Sequence, residues 1–220
     1  MESNRELLDL YKSYGESLSG PLRAWPDRDL SGPFLISPES YWNQSMRLLI
    51  VGQETGGWSK NGDDPAAQMN VYRAFEQGRQ YRTSPFWNVV RKLEIALGVY
   101  PYGCAWTNLN RYDEKGGPPS AEVEQLLRPL DALLREEIRI LNPDVCFLFT
   151  NRKNDERLAS IFQAVHFEAI QDLPEDHFMR LIHSDLPRLT FRCPHPRVMR
   201  QKSWEDGFFR VVERVCKETP

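Results

Sequence analysis

Met46-Arg-Leu-Leu-Ile-Val51 is a short, nearly continuous apolar run that stops abruptly at Gly52. Such a run cannot present one wet face, so it is read as a strand buried on both sides, followed by a turn. Val145 to Phe149 repeats the pattern, and Cys104 to Leu109 is a further strand of the same kind. Between them lie helical patterns. Pro85 to Leu97 carries Phe86, Val89, Val90, Leu93 and Leu97 on one side, with Ser84 as N-cap, Pro85 in the first turn and Gly98 at the end. A long amphipathic helix runs from Ser120 to Leu141 and is stopped by Asn142-Pro143. Buried strands separated by helices imply an α/β fold of three layers, α/β/α, with a central, mainly parallel sheet covered on both faces.

The remaining pattern is weaker. Arg5 to Ser17 and Asp64 to Gln80 have helical spacing, and Asp155 to Ala164 is a short helix. Ser203 to Lys217 is a final helix. Gly20 to Ser40, with four prolines, reads as an irregular segment wrapping the surface. His166–Ile170, Met179–Ile182 and Leu189–Arg192 are the other strand candidates. The 220 residues suit one domain, with a helix and Pro-rich extension over 1–45 and the core over 46–220. The four cysteines are widely spaced and form no CxxC pair, so neither a metal site, nor a cofactor, nor a disulfide framework is expected. The N-terminus has no apolar signal core and no apolar run reaches membrane-spanning length, so the expectation is a cytoplasmic protein without a membrane partner. Oligomeric state is not legible. A formal net charge of −3 argues against strong nonspecific affinity for nucleic acid, although Arg192, Arg197, Arg200 and Lys202 sit close together.

Ligands of such sheets bind beyond the carboxyl ends of the strands. Three segments occupy those positions. Gly52-Gln-Glu-Thr-Gly-Gly-Trp58 can turn tightly and bring backbone close to a ligand, and the Glu54 carboxylate could orient or deprotonate a water. The alternative is a Gly-rich turn with an exposed Glu; no GKS/T or GxGxxG phosphate fingerprint is present. Trp106-Thr-Asn-Leu-Asn-Arg111 offers two amides that either read a ligand edge or cap a turn. Cys193-Pro-His-Pro-Arg197 holds an imidazole on stiffened backbone, suited to donating a hydrogen bond to an anion. Trp58, Phe86, Trp87 and Trp106 lie near these segments and are either core or stacking rings.

Taken in order, Leu48-Leu-Ile-Val-Gly-Gln-Glu-Thr-Gly-Gly57, Thr107-Asn-Leu109 and Pro194-His-Pro196 resemble the uracil-DNA glycosylase superfamily. Its first motif is of the GQDPYH or GMNPG type, an asparagine follows a middle strand, and a late motif contains HP. Thr107-Asn-Leu is similar to the HNL of the single-strand-selective monofunctional branch, and the likeness runs from about Met46 to Trp204. The resemblance implies a hydrolase of DNA repair that flips out and excises uracil or another damaged base by base excision, on single- or double-stranded DNA. It implies Glu54 as water-activating acid, with His195 donating to the departing base. Gln53, Asn108, with Asn110 as fallback, and Phe86 would bind the base, and Arg197 and Arg200 would lie near a phosphate. The alternative within the same fold is a non-catalytic member that holds a free nucleobase or nucleotide. Thr55 stands where the family has proline, and Gly56 and Gly57 leave open the space from which a family tyrosine excludes a 5-methyl group.

Overall fold

The computed structural model describes residues 2–60 and 63–217. Its helices are α1 (Glu2–Ser13), α2 (Gly15–Ala24), α3 (Pro65–Ala74), α4 (Pro85–Ala96), α5 (Ala121–Leu127), α6 (Asp131–Leu141), α7 (Asp155–Ile161), α8 (Pro196–Gln201) and α9 (Glu205–Lys217). Its strands are β1 (Leu30–Ser31), β2 (Leu48–Gly52), β3 (Ala105–Asn108), β4 (Asp113–Glu114), β5 (Val145–Leu148), β6 (His166–Ala169), β7 (Met179–Ile182) and β8 (Leu189–Arg192). Six of them form one sheet in the order β3-β2-β5-β8-β7-β6, while β1 and β4 pair separately. The sheet is flanked by helices: α4, α8 and α9 pack on one another, and α1 joins α2, α3 and α6 in a second group. None of these helices is long and apolar enough to cross a membrane.

The continuous apolar runs become the central strands. β2, β3, β5 and β8 are parallel, and every residue of all four is buried. The parallel expectation fails at the other edge, where β7 runs antiparallel to both β8 and β6. The reason is the length of the connections. Residues 170–178 and 183–188 contain no helix, and a chain that short can only double back. β6 is accordingly the half-wet strand, with three of its four residues exposed.

Capping chemistry sets the helix that carries Phe86. Ser84 accepts a hydrogen bond from the Trp87 N–H, Pro85 occupies the first turn, and Gly98 takes the left-handed φ of 67° after the end. The helix expected over Ser120 to Leu141 is instead two, α5 and α6, separated by a 3-10 turn at Arg128–Leu130. Pro129 has no N–H to continue the ladder. The helix expected over Asp64 to Gln80 ends at Ala74, after which Glu76, Gln77 and Gly78 take positive φ values. The Pro-rich segment also departs from expectation. Pro21 lies inside α2, and Phe34, Leu35 and Ile36 are fully buried, so the segment is core rather than wrapping.

Candidate active site at the strand ends

Parallel pairing places the ends of β2 and β3 side by side, with Gly52 opposite Asn108. Beyond them Leu109 N–H donates to Gly52 O at 3.0 Å and Asn110 N–H to Gln53 O at 2.7 Å, so the two exits run together. Trp106 and Asn108 are two residues apart on one strand and therefore face the same way. The Trp106 Nε1–H donates to Asn108 Oδ1 at 3.1 Å. This contact is why residue 52 has no side chain: a Cβ there would stand 2.3 Å from Asn108 Oδ1. Asn108 is fully buried, and its Nδ2 has no protein partner. A buried amide donor left open in this way is costly unless a ligand accepts from it.

The loop after β2 is shaped by Asp113 of β4. One of its carboxylate oxygens accepts from Thr55 Oγ1 at 2.6 Å and from Gly57 N–H at 3.0 Å, the other from Gly116 N–H at 3.0 Å. Gly57 needs its freedom here, with φ at 89°. Gln53 Nε2 is tied back to Phe149 O at 3.4 Å. Glu54 is half-buried, and desolvation raises its pKa above the ordinary carboxylate value. The Lys153 charge and a hydrogen bond from Asn110 oppose that rise. Asn110 can offer its amide nitrogen to Glu54 because its Oδ1 is occupied by Arg157 Nη1 at 2.6 Å, and Arg157 is itself held by Asp131 at 2.9 Å.

His195 sits at the start of α8. Its backbone N–H donates to Asn151 Oδ1 at 2.7 Å, and its Nδ1 accepts from Arg197 N–H at 3.2 Å. Burial, aided by the Arg197 charge, lowers the imidazole pKa to about 4. A neutral ring whose Nδ1 accepts must carry its proton on Nε2, so the free edge is a hydrogen-bond donor. The Phe86 ring lies 6.0 Å from the imidazole at an interplanar angle of 22°. Asn151, which anchors the histidine backbone, holds φ 60° and ψ 161°, a conformation rare outside glycine.

These groups line one pocket of about 410 Å³ at the carboxyl ends of β2 and β3. Gln53, Glu54, Phe86, Asn108 and His195 all border it, as do Trp58, Trp87 and Trp106. The rings support one another: Trp87 and Trp58 meet Trp106 edge-on at 5.0 and 6.1 Å. Of the other expected site residues, Asn110 does not border the pocket, and Arg197 and Arg200, expected beside a phosphate rather than the base, lie on α8 outside it. Asn110 is buried outside the pocket between Glu54 and Arg157, Arg200 is exposed and 3.7 Å from Glu205, and Arg197 is exposed with no ion pair among the described residues.

Phe75 and the half-exposed Tyr81 at the pocket, and Asp113, Asn151 and Arg157 behind it, are functional candidates that sequence reading missed. Only Asp113 had a local cue, its place two residues beyond the segment Trp106-Thr-Asn-Leu-Asn-Arg111. Among the described residues no group of three or more His, Cys, Asp or Glu is placed to hold a metal ion. The pocket is thus walled largely by aromatic rings, with the Asn108 and His195 side chains and the Glu54 carboxylate among its polar lining. No protein-family model matches the chain, and no curated protein matches it.

Proposed function

We propose that the protein is a DNA glycosylase-like hydrolase that takes a flipped base into this pocket and cleaves its N-glycosidic bond. The observation that carries the reading is the meeting of Glu54, the open Asn108 amide and a neutral, Nε2-protonated His195 in one aromatic-walled slot. The rings would stack on the base, and Asn108 Nδ2 would donate to a carbonyl on its edge. As the bond from C1′ to the base nitrogen breaks, its electron pair leaves with the base, and the His195 N–H stabilises that anion. Water adds to C1′ and gives its proton to Glu54, leaving an abasic sugar and the base anion, which takes up a proton from solvent on release.

The test is strand cleavage after alkali on labelled oligonucleotides containing uracil, hypoxanthine or xanthine, both single- and double-stranded. Excision by the native chain, lost in Asn108→Ala and His195→Ala, is the expected result. No excision from any substrate by a folded protein would overturn the reading. A second reading, a receptor for a free nucleobase or nucleotide, draws on the pairing of Arg200 with Glu205 and on the net charge of −3, neither of which favours gripping a polyanion. Under that reading Glu54→Gln leaves all measured function, which is binding, in place.

A further inference from the structure

The surroundings of Glu54 work against its charge. Burial desolvates it, and the carboxylates of Asp113 on β4 and Glu124 on α5 face it with like charge. Lys153, in the turn after β5, is the cation that acts on it, and its exposed side chain forms no ion pair with Glu54 among the described residues. A carboxylate that is to take a proton from water needs its own proton off and one oxygen free. The side chain that meets Glu54 by a hydrogen bond is the neutral amide of Asn110.

An amide can face either way, and Arg157 of α7 decides which. A guanidinium has donors and no acceptor, so the Asn110 atom that meets Arg157 Nη1 at 2.6 Å is its oxygen. The nitrogen is thereby left for Glu54. Arg157 itself is fixed. It is 2 % exposed, its Nε donates to the two Asp131 oxygens at 2.9 and 3.1 Å, and its Nη2 donates to Asp131 at 2.5 Å and to Leu109 O at 3.3 Å. Its Nη1 also lies 3.5 Å from Glu124, which offsets one of the two like charges. The Asn110 backbone is pinned as well, through its N–H to Gln53 O at 2.7 Å. The contacts run unbroken from Asp131, the first residue of α6, through α7 to the loop after β2.

We propose that Arg157, anchored by Asp131, is a positioning residue for the reaction: it turns the Asn110 amide so that its nitrogen holds one oxygen of Glu54 and leaves the other for the attacking water. The proposal rests on Glu54 being the base assigned above, and it gives Asn110 a task other than reading the substrate. Neither Arg157 nor Asp131 borders the pocket, so both act through Asn110.

Carbon-13 NMR titration of the full chain follows the Glu54 carboxylate directly, with Glu54→Gln identifying its signal. Asn110→Leu removes the amide donor without adding charge. Arg157→Lys keeps the charge but lacks the fork that spans Asp131 and Asn110 at once. Each is expected to move the Glu54 titration to higher pH. Arg157→Lys should add nothing to Asn110→Leu, because its effect passes through the amide. On an oligonucleotide whose base the native chain excises, the acid limb of the rate profile should move up with the NMR titration. A move of about one pH unit lowers the rate on that limb about tenfold, with KM unchanged. Circular dichroism shows whether each variant is folded, and Asp131→Asn, which loosens Arg157 but leaves it in place, serves where Arg157→Lys does not fold.

A Glu54 titration unmoved in Asn110→Leu or in Arg157→Lys, or effects of the two that add, would overturn the inference whatever happens to oligonucleotides. The expected titrations in a chain that excises nothing would leave the Arg157–Asn110–Glu54 linkage standing and sink the glycosylase reading. Excision by the native chain, with an acid limb that neither variant moves, would sink the inference and keep that reading.

Discussion

His195 and Glu54 are pushed in opposite directions by one cause, the loss of water around them. For His195 the folded pKa of about 4 lies below the unfolded value near 6.5. As pH falls through 6.5 the unfolded chain takes up a proton that the folded one refuses, so its share of stability is lost from there down to about pH 4. NMR of the imidazole should find His195 still neutral at pH 5, and His195→Asn should flatten that part of the stability curve. Glu54 runs the other way. Its folded pKa is raised, so the group favours the folded state at low pH and opposes it once ionised. Glu54→Gln should therefore raise the Tm at pH 7, by roughly 2–4 °C for each kcal/mol relieved, and leave it unchanged near pH 3. A thermal scan at the two values checks both signs. The prolines around His195 announced a fixed ring in the sequence. Its tautomer did not show, because that depends on the Arg197 N–H, a bond that exists only once α8 has formed.

At the scale of elements, the site is the junction of two strand exits and a loop. The apolar runs and the turn at Gly52 made β2, β3 and β5 readable, and with them the place where a ligand should bind. What they could not convey was contact between segments distant in sequence. β4 is only two residues long, and Asp113 gains its role from Thr55 and Gly57, more than fifty positions earlier. Asn110 looked like a second reader of the ligand because it shares the exit of β3. It is drawn away by Arg157 of α7, whose part in the site nothing local in its own segment signals. Gly52 is the tightest point of this junction. Gly52→Ala is expected to push Asn108 from its contact with Trp106, at about 1–3 kcal/mol in stability. Denaturant melting measures the cost, and loss of ligand binding measures the displacement.

Across the whole molecule, a buried network beneath the sheet joins the N-terminal helix to the strand that carries Asn108. Glu137 of α6 accepts from Tyr11 at 2.6 Å, from Thr107 at 2.7 Å and from Arg111 at 2.8 Å, and the Tyr11 hydroxyl accepts the Ile36 N–H at 3.2 Å. Thr107 faces away from the pocket, between the two residues that face into it. Glu137→Ala would leave Arg111 charged and buried, and should cost about 3–5 kcal/mol in global stability by urea unfolding. Tyr11→Phe removes one hydrogen bond and should cost about 0.5–1.5 kcal/mol. Neither side chain borders the pocket, so ligand affinity in the surviving folded fraction should be unchanged. The clustering of Trp58, Trp87 and Trp106 has an optical consequence as well. Half of the six tryptophans surround the site, so intrinsic fluorescence reports on what occupies it. A stacked heterocycle would quench that emission, and the chain needs no attached label for its occupancy to be followed in real time.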